Sequence, residues 1–525
     1  MKSKLKPKAH HLLAILLAAA SAARANVTPS PLFSDHMVIQ QGFAVPVFGT
    51  ADPGEAVTVS LGTEKQTATA GPDGKWMVKL AIQKAAGLDA PPAELTIAGK
   101  NSITVHDVLI GEVWLGSGQS NMEFSVSAKV KAFAGLTDEA AEIAAANYPK
   151  IRMFTVRQVK SATPAATLSG TWEVCSPQTV PAFSAVGYLF ARDLQKEIKQ
   201  PVGIITSAFG ASTAESWISR EALSADPALK PMLDNFDGCL AAFKANPAVT
   251  IAQLPPGIHK PVTINGRIPA ATAALGNPVP DQHQPTVLFN GMIAPIIPYA
   301  IRGALWYQGE SIVGGDAGLS IFGHVTNTLV TDWRKRWGEG DFPFYIAQIP
   351  GQQNVSNNPR VREQQAELLK LPNTGIAVIM DTGEAKNVHP HNKAPLGDRL
   401  TKIALANAYD QKIEYSGPVY DSLKVESGAI RLKFTHVGAG LAAKDGDLKW
   451  FQIAGVDQKF VTATAKIDGD TIVVSSPDVK DPVAVRYGWD NWPAGMNLWN
   501  KDGLMASPFR TDTWKYPIEG IVEAP

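Results

Sequence analysis

Short apolar runs, each followed by a polar segment rich in glycine, constrain the fold of this chain more than any other feature. The runs are nearly continuous in hydrophobicity, and helical segments such as 186–198 lie between them. They span residues 108–115, 202–205, 301–307, 344–347 and 375–380. Strands of this length and composition are typical of a parallel sheet that is covered on both faces. The middle of the chain is therefore predicted to be an α/β domain.

Both ends of the chain have a different pattern, in which short β-type segments alternate with turns. The N-terminal part has turns at Asp52-Pro53-Gly54 and at 71–74, which predicts a small β-sandwich. Residues 429–485 are again β-rich, and Asp468-Gly469 marks a hairpin turn. The expected units are an N-terminal β-sandwich at 26–105, the α/β domain at 106–415 and a C-terminal β-rich region at 416–525.

The first 25 residues have the organisation of a secretory signal peptide. Four lysines lie within the first eight residues, an apolar run follows at 12–20, and Ala23-Arg24-Ala25 has the small residues of a cleavage site. The apolar run is shorter than the roughly 20 residues that a membrane-spanning helix needs. We therefore expect a cleaved signal peptide at 1–25, a secreted or periplasmic protein, and no membrane span in the mature chain.

Composition limits the partners and cofactors. A chain of 525 residues exceeds the roughly 250–300 residues of a single core, so several domains are expected. Its 48 basic and 48 acidic residues balance, which argues against nucleic acid as a partner and favours a neutral ligand. Cys175 and Cys239 allow one disulfide, but neither they nor the ten histidines have the spacing of a metal site. No metal or other cofactor is predicted.

Four of the polar segments carry the groups that a serine hydrolase needs. Ser120, Gly210, Gln308 and His389 each follow a different apolar run, and parallel strands present their carboxyl ends at one edge of the sheet. Ser120 on a tight turn offers a nucleophile and His389 a base, while the Gly210 N–H and the Gln308 amide offer donors for an oxyanion. Ser120 alone would equally be a turn serine that caps the next helix. Agreement among four segments favours catalysis.

Three stretches of sequence resemble the signature blocks of the sialate O-acetylesterase family, within the SGNH-hydrolase superfamily. They are Gly118-Gln119-Ser120-Asn121-Met122-Glu123, Trp306-Tyr307-Gln308-Gly309-Glu310-Ser311, and His389-Pro390 with Lys393. Further matches within 290–292, 332–334 and 485–510 extend the resemblance over nearly the whole mature chain.

The resemblance implies a flavodoxin-like SGNH-hydrolase catalytic domain at 106–415, with β-rich accessory regions at both ends. It also implies that Ser120 is the nucleophile and His389 its general base. The Ser120 and Gly210 N–H groups, with Gln308, would form the oxyanion hole. The implied substrate is an acetylated mono- or oligosaccharide, which would lose its acetyl group through an acetyl-serine intermediate.

The acid that orients the histidine is not apparent. Many SGNH enzymes carry an aspartate three residues before the histidine, where this chain has Lys386. Asp381, Glu384 and Glu310 are the candidates for the acid, and a backbone carbonyl in that position would instead leave a Ser–His dyad. Glu310 is equally a candidate for contacting the substrate.

Two further residues of the histidine segment have open roles. His391 is the rival of His389 as the base. Lys393 precedes a predicted helix and is interpreted as its solvated end.

Several aromatic residues also admit two interpretations. Trp306 and Tyr307 are predicted to pack within a strand and not to serve as sugar platforms. Trp489, Trp492 and Trp499 form an aromatic-rich late loop that suits either sugar stacking or a domain interface.

Two functions of other kinds are compatible with these features. A non-catalytic carbohydrate-binding protein on an SGNH-like fold would suit the β-rich ends with their tryptophans. An esterase or lipase of longer acyl chains would require a large apolar pocket. For the acetylesterase, either sialic acid or a plant hemicellulose, xylan or xyloglucan, would be the sugar, and the sequence favours no particular oligomeric state.

Overall fold

A computed structural model of the chain describes residues 26–85, 87–259, 270–312, 315–353, 355 and 357–515. The strands are β1 (Thr28–Pro29), β2 (Val38–Gln40), β3 (Val45–Thr50), β4 (Ala56–Leu61), β5 (Glu64–Thr69), β6 (Lys75–Leu80), β7 (Ala93–Ala98), β8 (Ser102–Gly118), β9 (Tyr148–Thr155), β10 (Trp172–Cys175), β11 (Val202–Ala208), β12 (Gly303–Tyr307), β13 (Phe344–Ala347), β14 (Thr374–Ala377), β15 (Val419–Glu426), β16 (Ala429–Thr435), β17 (Leu441–Ala443), β18 (Phe451–Ala454), β19 (Val461–Thr462), β20 (Thr464–Asp468), β21 (Thr471–Ser475), β22 (Ala484–Tyr487), β23 (Leu498–Asn500) and β24 (Phe509–Arg510).

The helices lie mainly in the middle of the chain. They are α1 (Ser120–Glu123), α2 (Glu139–Ala145), α3 (Ala185–Ile198), α4 (Arg220–Ala225), α5 (Lys230–Ala245), α6 (Gly315–Trp337), α7 (Asn358–Ala366) and α8 (Ala394–Ala408). Short 3-10 helices lie at Val180–Ala182, Ala214–Trp217, Ile251–Gln253 and Glu367–Lys370, and a π-helical turn lies at Phe289–Ile293.

A mixed sheet forms the centre of the molecule, in the order β10-β9-β11-β8-β12-β13-β14. All neighbours from β9 to β14 pair in parallel, and β10 joins the edge in the antiparallel direction. The carboxyl ends of β8, β11 and β12 therefore lie side by side, which confirms the predicted α/β architecture.

Helices cover both faces of this sheet. On one face α3 and α8 pack together over a core that includes Trp114 and Tyr345. On the other face α6 brings Trp333 against Trp306 and Phe344. Trp306 and Tyr307 are 2% and 0% exposed, so the prediction that they pack within a strand is confirmed. Burial on both faces explains why the strand sequences are nearly continuous in hydrophobicity.

The strand β8 belongs to two sheets. Its first half pairs antiparallel with β7, which continues through β4 to β5. Its second half pairs in parallel with β11 on one side and β12 on the other. Burial alternates along the first half, as in a strand with one solvent-exposed face, and is nearly continuous along the second half. The predicted boundary between residues 105 and 106 falls inside this strand.

The remaining N-terminal strands complete a β-rich region. β1, β3 and β6 form a second sheet, and inward-facing residues of both sheets, such as Val47, Val59, Trp76 and Ile97, share one hydrophobic core. That core continues without interruption into the α/β domain.

The C-terminal region, as far as it is described (up to residue 515), contains three antiparallel sheets. Their strand orders are β15-β16-β21-β20, β17-β23 and β19-β18-β22-β24. β20 and β21 form the hairpin that was predicted at Asp468-Gly469.

The loop between β22 and β23 packs on the α/β domain through one buried arginine. Arg362 of α7, 1% exposed, donates to the backbone oxygens of Asp490 and Asn491 in this loop and of Ile349 and Pro350 in its own domain. Burial lowers the pKa of Arg362 to about 9. The arginine thus fixes the loop to the α/β domain by four carbonyl contacts.

Three predictions concern the termini and the cysteines. The signal peptide predicted at 1–25 lies outside the described residues. Cys175 and Cys239 are both buried in separate hydrophobic clusters, and no disulfide joins them. Across the described ranges, no helix is both long and apolar enough to cross a membrane.

Candidate active site

Ser120 lies where β8 ends at the carboxyl edge of the central sheet. Gly118 has φ +132°, and a Cβ there would lie 2.2 Å from the carbonyl oxygen of Tyr307 in the neighbouring strand. Only glycine allows this close approach and turn. Two residues later Ser120 opens the short helix α1, half-buried at the sheet edge.

His389 reaches Ser120 from the loop that follows β14. Its Nε2 lies 2.7 Å from the Ser120 Oγ, within hydrogen-bond distance. The ring of Phe133 lies against the imidazole, with 4.7 Å between the ring centroids. His391, the rival base, binds Glu384 through its Nδ1 at 2.8 Å. The structure therefore brings together the two residues that were predicted as nucleophile and base.

The three acid candidates are occupied elsewhere. Asp381 forms a bidentate ion pair with Arg399, Glu384 binds His391, and Glu310 accepts a hydrogen bond from Asn121. No residue of the described ranges hydrogen-bonds the Nδ1 of His389, whose polar side-chain contact is the Ser120 hydroxyl. Among the residues that the structure describes, the arrangement is that of a Ser–His pair, with neither a carboxylate nor a backbone carbonyl bound to the imidazole Nδ1.

A buried polar network ties the histidine loop to the turn of Ser120. Asn121, fully buried, donates from Nδ2 to the Glu310 carboxylate at 2.5 Å and to the Val388 carbonyl at 2.9 Å. Its Oδ1 accepts from Lys393 Nζ at 2.5 Å. Because Val388 and Lys393 flank His389, Asn121 fixes the loop on both sides of the base.

Lys393 is not a solvated helix end, as the sequence had suggested. It is 1% exposed, and its Nζ lies 4.7 and 5.0 Å from the ring centroids of Phe124 and Tyr307. The side chain points inward because Asn121 and the two aromatic faces provide a polar and cation–π environment. The position before the helix was read correctly, but the direction of the side chain was wrong.

The pKa values of this cluster are displaced by burial. Burial, with the charges of Lys393 and His391, lowers the pKa of His389 to about 4. Burial lowers the pKa of Lys393 to about 7, against the opposing charges of Glu310 and Glu384. Burial also raises the pKa of Glu310. His389 is therefore neutral, and able to accept a proton, over a wide range of pH.

The predicted oxyanion donors differ in their availability. The Ser120 N–H, at the first turn of α1, has no acceptor within the described part of the chain. The Gly210 N–H donates to the Glu123 carboxylate at 2.7 Å, and Glu123 also pairs with Lys131. The Gln308 amide donates to the Ser311 carbonyl at 2.8 Å. Gly210 nevertheless adjoins Ser120, since a Cβ there would lie 3.7 Å from the Ser120 Cβ.

A cavity of about 410 Å³ adjoins this edge of the sheet. It lies beyond the carboxyl ends of β9 and β11, and its polar walls include Glu123, Lys131, Arg157 and Gln158. Ligands of open α/β sheets bind at this edge. Ser120 and His389 are not among its lining residues; Glu123 contributes both to the cavity wall and to the contact with Gly210, so the cavity is a neighbour of the Ser120 turn.

Sequence reasoning did not assign roles to several residues of the site. Asn121 and Glu123 lie in the same stretch as Ser120, so their positions beside the nucleophile were a usable signal. Phe133 lies in a segment of no distinctive pattern, and nothing in the sequence places it against His389. No group of three or more His, Cys, Asp or Glu residues in the described ranges is arranged to hold a metal ion.

Comparison with known proteins gives the relationships of this chain. A sequence model of the family described as "Carbohydrate esterase, sialic acid-specific acetylesterase" matches residues 271–409. The mouse sialate O-acetylesterase is 28% identical over 527 residues, covering 87% of this chain and 88% of the mouse protein. The human sialate O-acetylesterase is 27% identical over 504 residues, covering 88% and 87%.

A solved structure matches almost the entire chain. The crystal structure of a carbohydrate acetylesterase from Xanthomonas citri superposes with a TM-score of 0.78 at 33% identity, covering 93% of this chain and 100% of that chain. The shared fold and the extent of this match make the protein a carboxylic ester hydrolase. Within that class, the chain belongs to the sialate O-acetylesterase family of carbohydrate acetylesterases.

Proposed function

We propose that this chain is an exported carbohydrate O-acetylesterase that works by serine catalysis, with Ser120 as nucleophile and His389 as general base. The observation that carries the proposal is the distance of 2.7 Å between the Ser120 Oγ and the His389 Nε2 at the carboxyl edge of the sheet. Export rests on the signal-peptide pattern of residues 1–25.

The order of the strands supports an SGNH-type, flavodoxin-like catalytic domain. Counted along the chain among themselves, β8, β11, β12, β13 and β14 take the spatial order 2-1-3-4-5, which is that of flavodoxin-like sheets. β9 and β10 extend the edge beyond β11. The nucleophile then follows the first of these strands, which lies beside the point where the strand order reverses.

The reaction proceeds in two steps. His389 Nε2 takes the Ser120 hydroxyl proton while Oγ attacks the acetyl carbonyl carbon, and the tetrahedral intermediate collapses as His389 returns the proton to the departing sugar oxygen. His389 then takes a proton from water, whose oxygen attacks acetyl-Ser120. Acetate leaves, and Ser120 recovers its proton from His389. No cofactor takes part in either step.

Charge on the carbonyl oxygen needs hydrogen-bond donors. The Ser120 N–H supplies the first donor without rearrangement. The Gly210 N–H supplies the second when the Glu123 carboxylate moves away from it, and Lys131 already contacts that carboxylate. Gln308 stays the predicted third donor; its amide donates to the Ser311 carbonyl at 2.8 Å and, more weakly, to the Ser212 carbonyl at 3.4 Å, so one of these contacts must give way.

The base needs no carboxylate in this scheme. Asn121 holds Val388 and Lys393 on either side of His389, which fixes the imidazole by its backbone. Phe133 covers one face of the ring. The charge that forms on the imidazole is stabilised by the oxyanion it faces.

The test is acetate release from acetylated sialic acids and from acetylated xylan and xyloglucan oligosaccharides. The wild-type protein should release acetate, and Ser120→Ala and His389→Ala should each lose about 10⁴-fold or more of kcat while remaining folded. His106→Ala, at a solvent-facing histidine of the N-terminal region, is the matched control and should retain activity. Comparison of acetate release across these substrates shows which acetylated sugar the protein hydrolyses.

Three results would contradict the proposal in different ways. Glycan binding without acetate release would indicate a carbohydrate-binding protein. Faster hydrolysis of longer aryl esters than of aryl acetate would indicate a lipase-type specificity. Full activity in Ser120→Ala would exclude the serine mechanism.

A further inference from the structure

A second cleft lies where the C-terminal region meets the α/β domain. It has a volume of about 340 Å³. The α/β domain contributes Gly351 and the turn that follows β14, including Asp381 and Gly383. The C-terminal region contributes the loop between β22 and β23 together with Lys444, Asp445 and Lys449. The volume lies at the lower end of the range for small-molecule sites, which suits a single sugar ring.

Trp492 is the aromatic residue of this cleft that is free to stack. Its ring lies on the backbone of two glycines, since a Cβ at Gly351 or Gly383 would approach it to 3.0 or 3.1 Å. The ring remains half-buried, on a loop that Arg362 fixes to the α/β domain. Trp492 is therefore a rigid platform that is only partly covered by protein.

Trp499, the other tryptophan of the cleft, has a different role. It is 8% exposed, and Lys444 and Arg399 lie over its ring at 4.6 and 5.6 Å. Cations thus occupy its surroundings, and it serves the domain interface. Of the two roles that the sequence left open for Trp489, Trp492 and Trp499, these contacts favour the interface role for Trp499.

The polar groups of the cleft match a neutral sugar. The lining carries two lysines, Lys444 and Lys449, and two aspartates, Asp381 and Asp445, so it has equal numbers of positive and negative side chains. A pyranose has one apolar C–H face for an aromatic ring and hydroxyl groups for charged and amide side chains. A balanced rim gives no net attraction for a polyanion.

The cleft is connected to the reacting groups by one loop. Asp381 and Gly383 in its wall belong to the segment 381–391, which also carries His389. Glu384 closes this segment on itself by binding the backbone N–H of His391 at 2.7 Å. A glycan chain whose acetylated unit lies at Ser120 would continue along this segment.

We propose that the cleft binds an unacetylated pyranose of a neutral oligosaccharide substrate, with the ring of Trp492 as its platform. The inference rests on the proposed acetylesterase function and names the class of substrate: a glycan chain of at least two units. Acetylated monosaccharides and aryl acetates fill the active site only and gain nothing from the cleft.

Kinetics with two kinds of substrate test the proposal. The ratio of kcat/KM for an acetylated xyloglucan or xylan oligosaccharide to that for 4-nitrophenyl acetate should fall about three- to tenfold in Trp492→Ala. Trp492→Phe keeps an aromatic face and should restore most of the ratio. Trp514→Ala, a half-buried tryptophan of the same region outside the cleft, is the matched control and should leave the ratio unchanged. An unchanged ratio in Trp492→Ala would overturn the proposal.

Binding without turnover separates the cleft from the catalytic proposal. Calorimetry with a deacetylated oligosaccharide and Ser120→Ala protein needs no ester hydrolysis. Binding that Trp492→Ala weakens in this background supports the cleft even if the wild type releases no acetate. Equal binding by Ser120→Ala and by the double variant Ser120→Ala/Trp492→Ala, or no binding at millimolar oligosaccharide, would refute the role of the cleft in sugar binding. Such a result would say nothing against acetate release from small esters.

Discussion

Replacing Lys393 by methionine tests how the protein keeps its base in the neutral form. Lys393 is buried four residues after His389, and its positive charge is one of the causes that lower the pKa of the imidazole. Methionine has a similar length and no charge. It retains contact with the rings of Phe124 and Tyr307 and loses the hydrogen bond to Asn121.

The size of the change in activity follows from the acid limb of the pH–activity profile, that is, the pH range in which activity is lost on acidification. His389 accepts the serine proton only when neutral, so activity is present above its pKa and is lost as the pH falls below it. With the pKa lowered from 6.5 to about 4, roughly 90% of the imidazole is neutral at pH 5, against roughly 3% for an unperturbed histidine. At pH 5 the wild type should therefore hold about 30-fold more of its histidine in the neutral form than an unperturbed imidazole would.

Lys393→Met should move this limb toward higher pH. Burial, the largest cause, remains in the variant, so the limb moves by about one pH unit and does not return to 6.5. His391→Gln, which removes the smaller contribution, should move it less. Lys393→Arg keeps the charge and should keep the limb near its wild-type position.

The assay is the pH dependence of kcat/KM for an aryl acetate between pH 3.5 and 8, in the three variants and the wild type. Thermal unfolding of each protein shows whether Lys393→Met still folds, since the variant leaves Asn121 Oδ1 and the Glu310 carboxylate short of a partner. A wild-type limb near pH 6.5, or identical limbs in wild type and Lys393→Met, would refute the reasoning.

Three further predictions follow from contacts described above. Glu123→Ala frees the Gly210 N–H from a charged acceptor and should raise kcat/KM for aryl acetate up to about tenfold. Glu123→Gln keeps an acceptor at this position and should raise kcat/KM less. A fall of kcat/KM in both variants would contradict the proposal that Glu123 moves away from Gly210 during the reaction. Arg362→Met removes four hydrogen bonds to backbone carbonyls, two of them buried, and should lower the free energy of unfolding by about 3 kcal/mol in a denaturant titration. An unchanged midpoint would show that the loop is held by other contacts. A reducing agent should leave the thermal midpoint of the wild type unchanged, because no disulfide joins Cys175 to Cys239; a fall on reduction would contradict this arrangement.

The sequence predicted the elements with strong local patterns. The run 344–347 coincides with β13, the helix expected at 186–198 is α3 within one residue, and the turn at Asp468-Gly469 forms its hairpin. These succeed because periodicity and turn chemistry are properties of neighbouring residues. The pairing of Ser120 with His389 was also predicted, because both follow strands of one sheet and lie in recognised sequence blocks.

The rest depended on contacts between distant segments. The sequence around Lys393 does not show that its buried ammonium group will donate a hydrogen bond to Asn121, which lies 272 positions away. The carboxylate of Glu123 meets the Gly210 N–H across 87 positions, so its competition for a predicted oxyanion donor is visible only in three dimensions. Lys386 put the acid behind His389 in doubt but left Asp381, Glu384 and Glu310 open, and the contacts that occupy these three carboxylates join segments far apart in the chain.

The continuous strand β8 limits how the N-terminal region can be exchanged between proteins during evolution. A binding module joined by a linker can be exchanged by recombination without altering its neighbour. Here the strand that completes the N-terminal sheet by pairing with β7 runs on without a break, through its ladder with β11, to Gly118, two positions before Ser120. An exchange of the N-terminal region that changed the length of this strand by one residue would reverse every side chain along it, up to the turn of Ser120. The N-terminal strands are therefore a permanent part of the catalytic unit, not an interchangeable attachment.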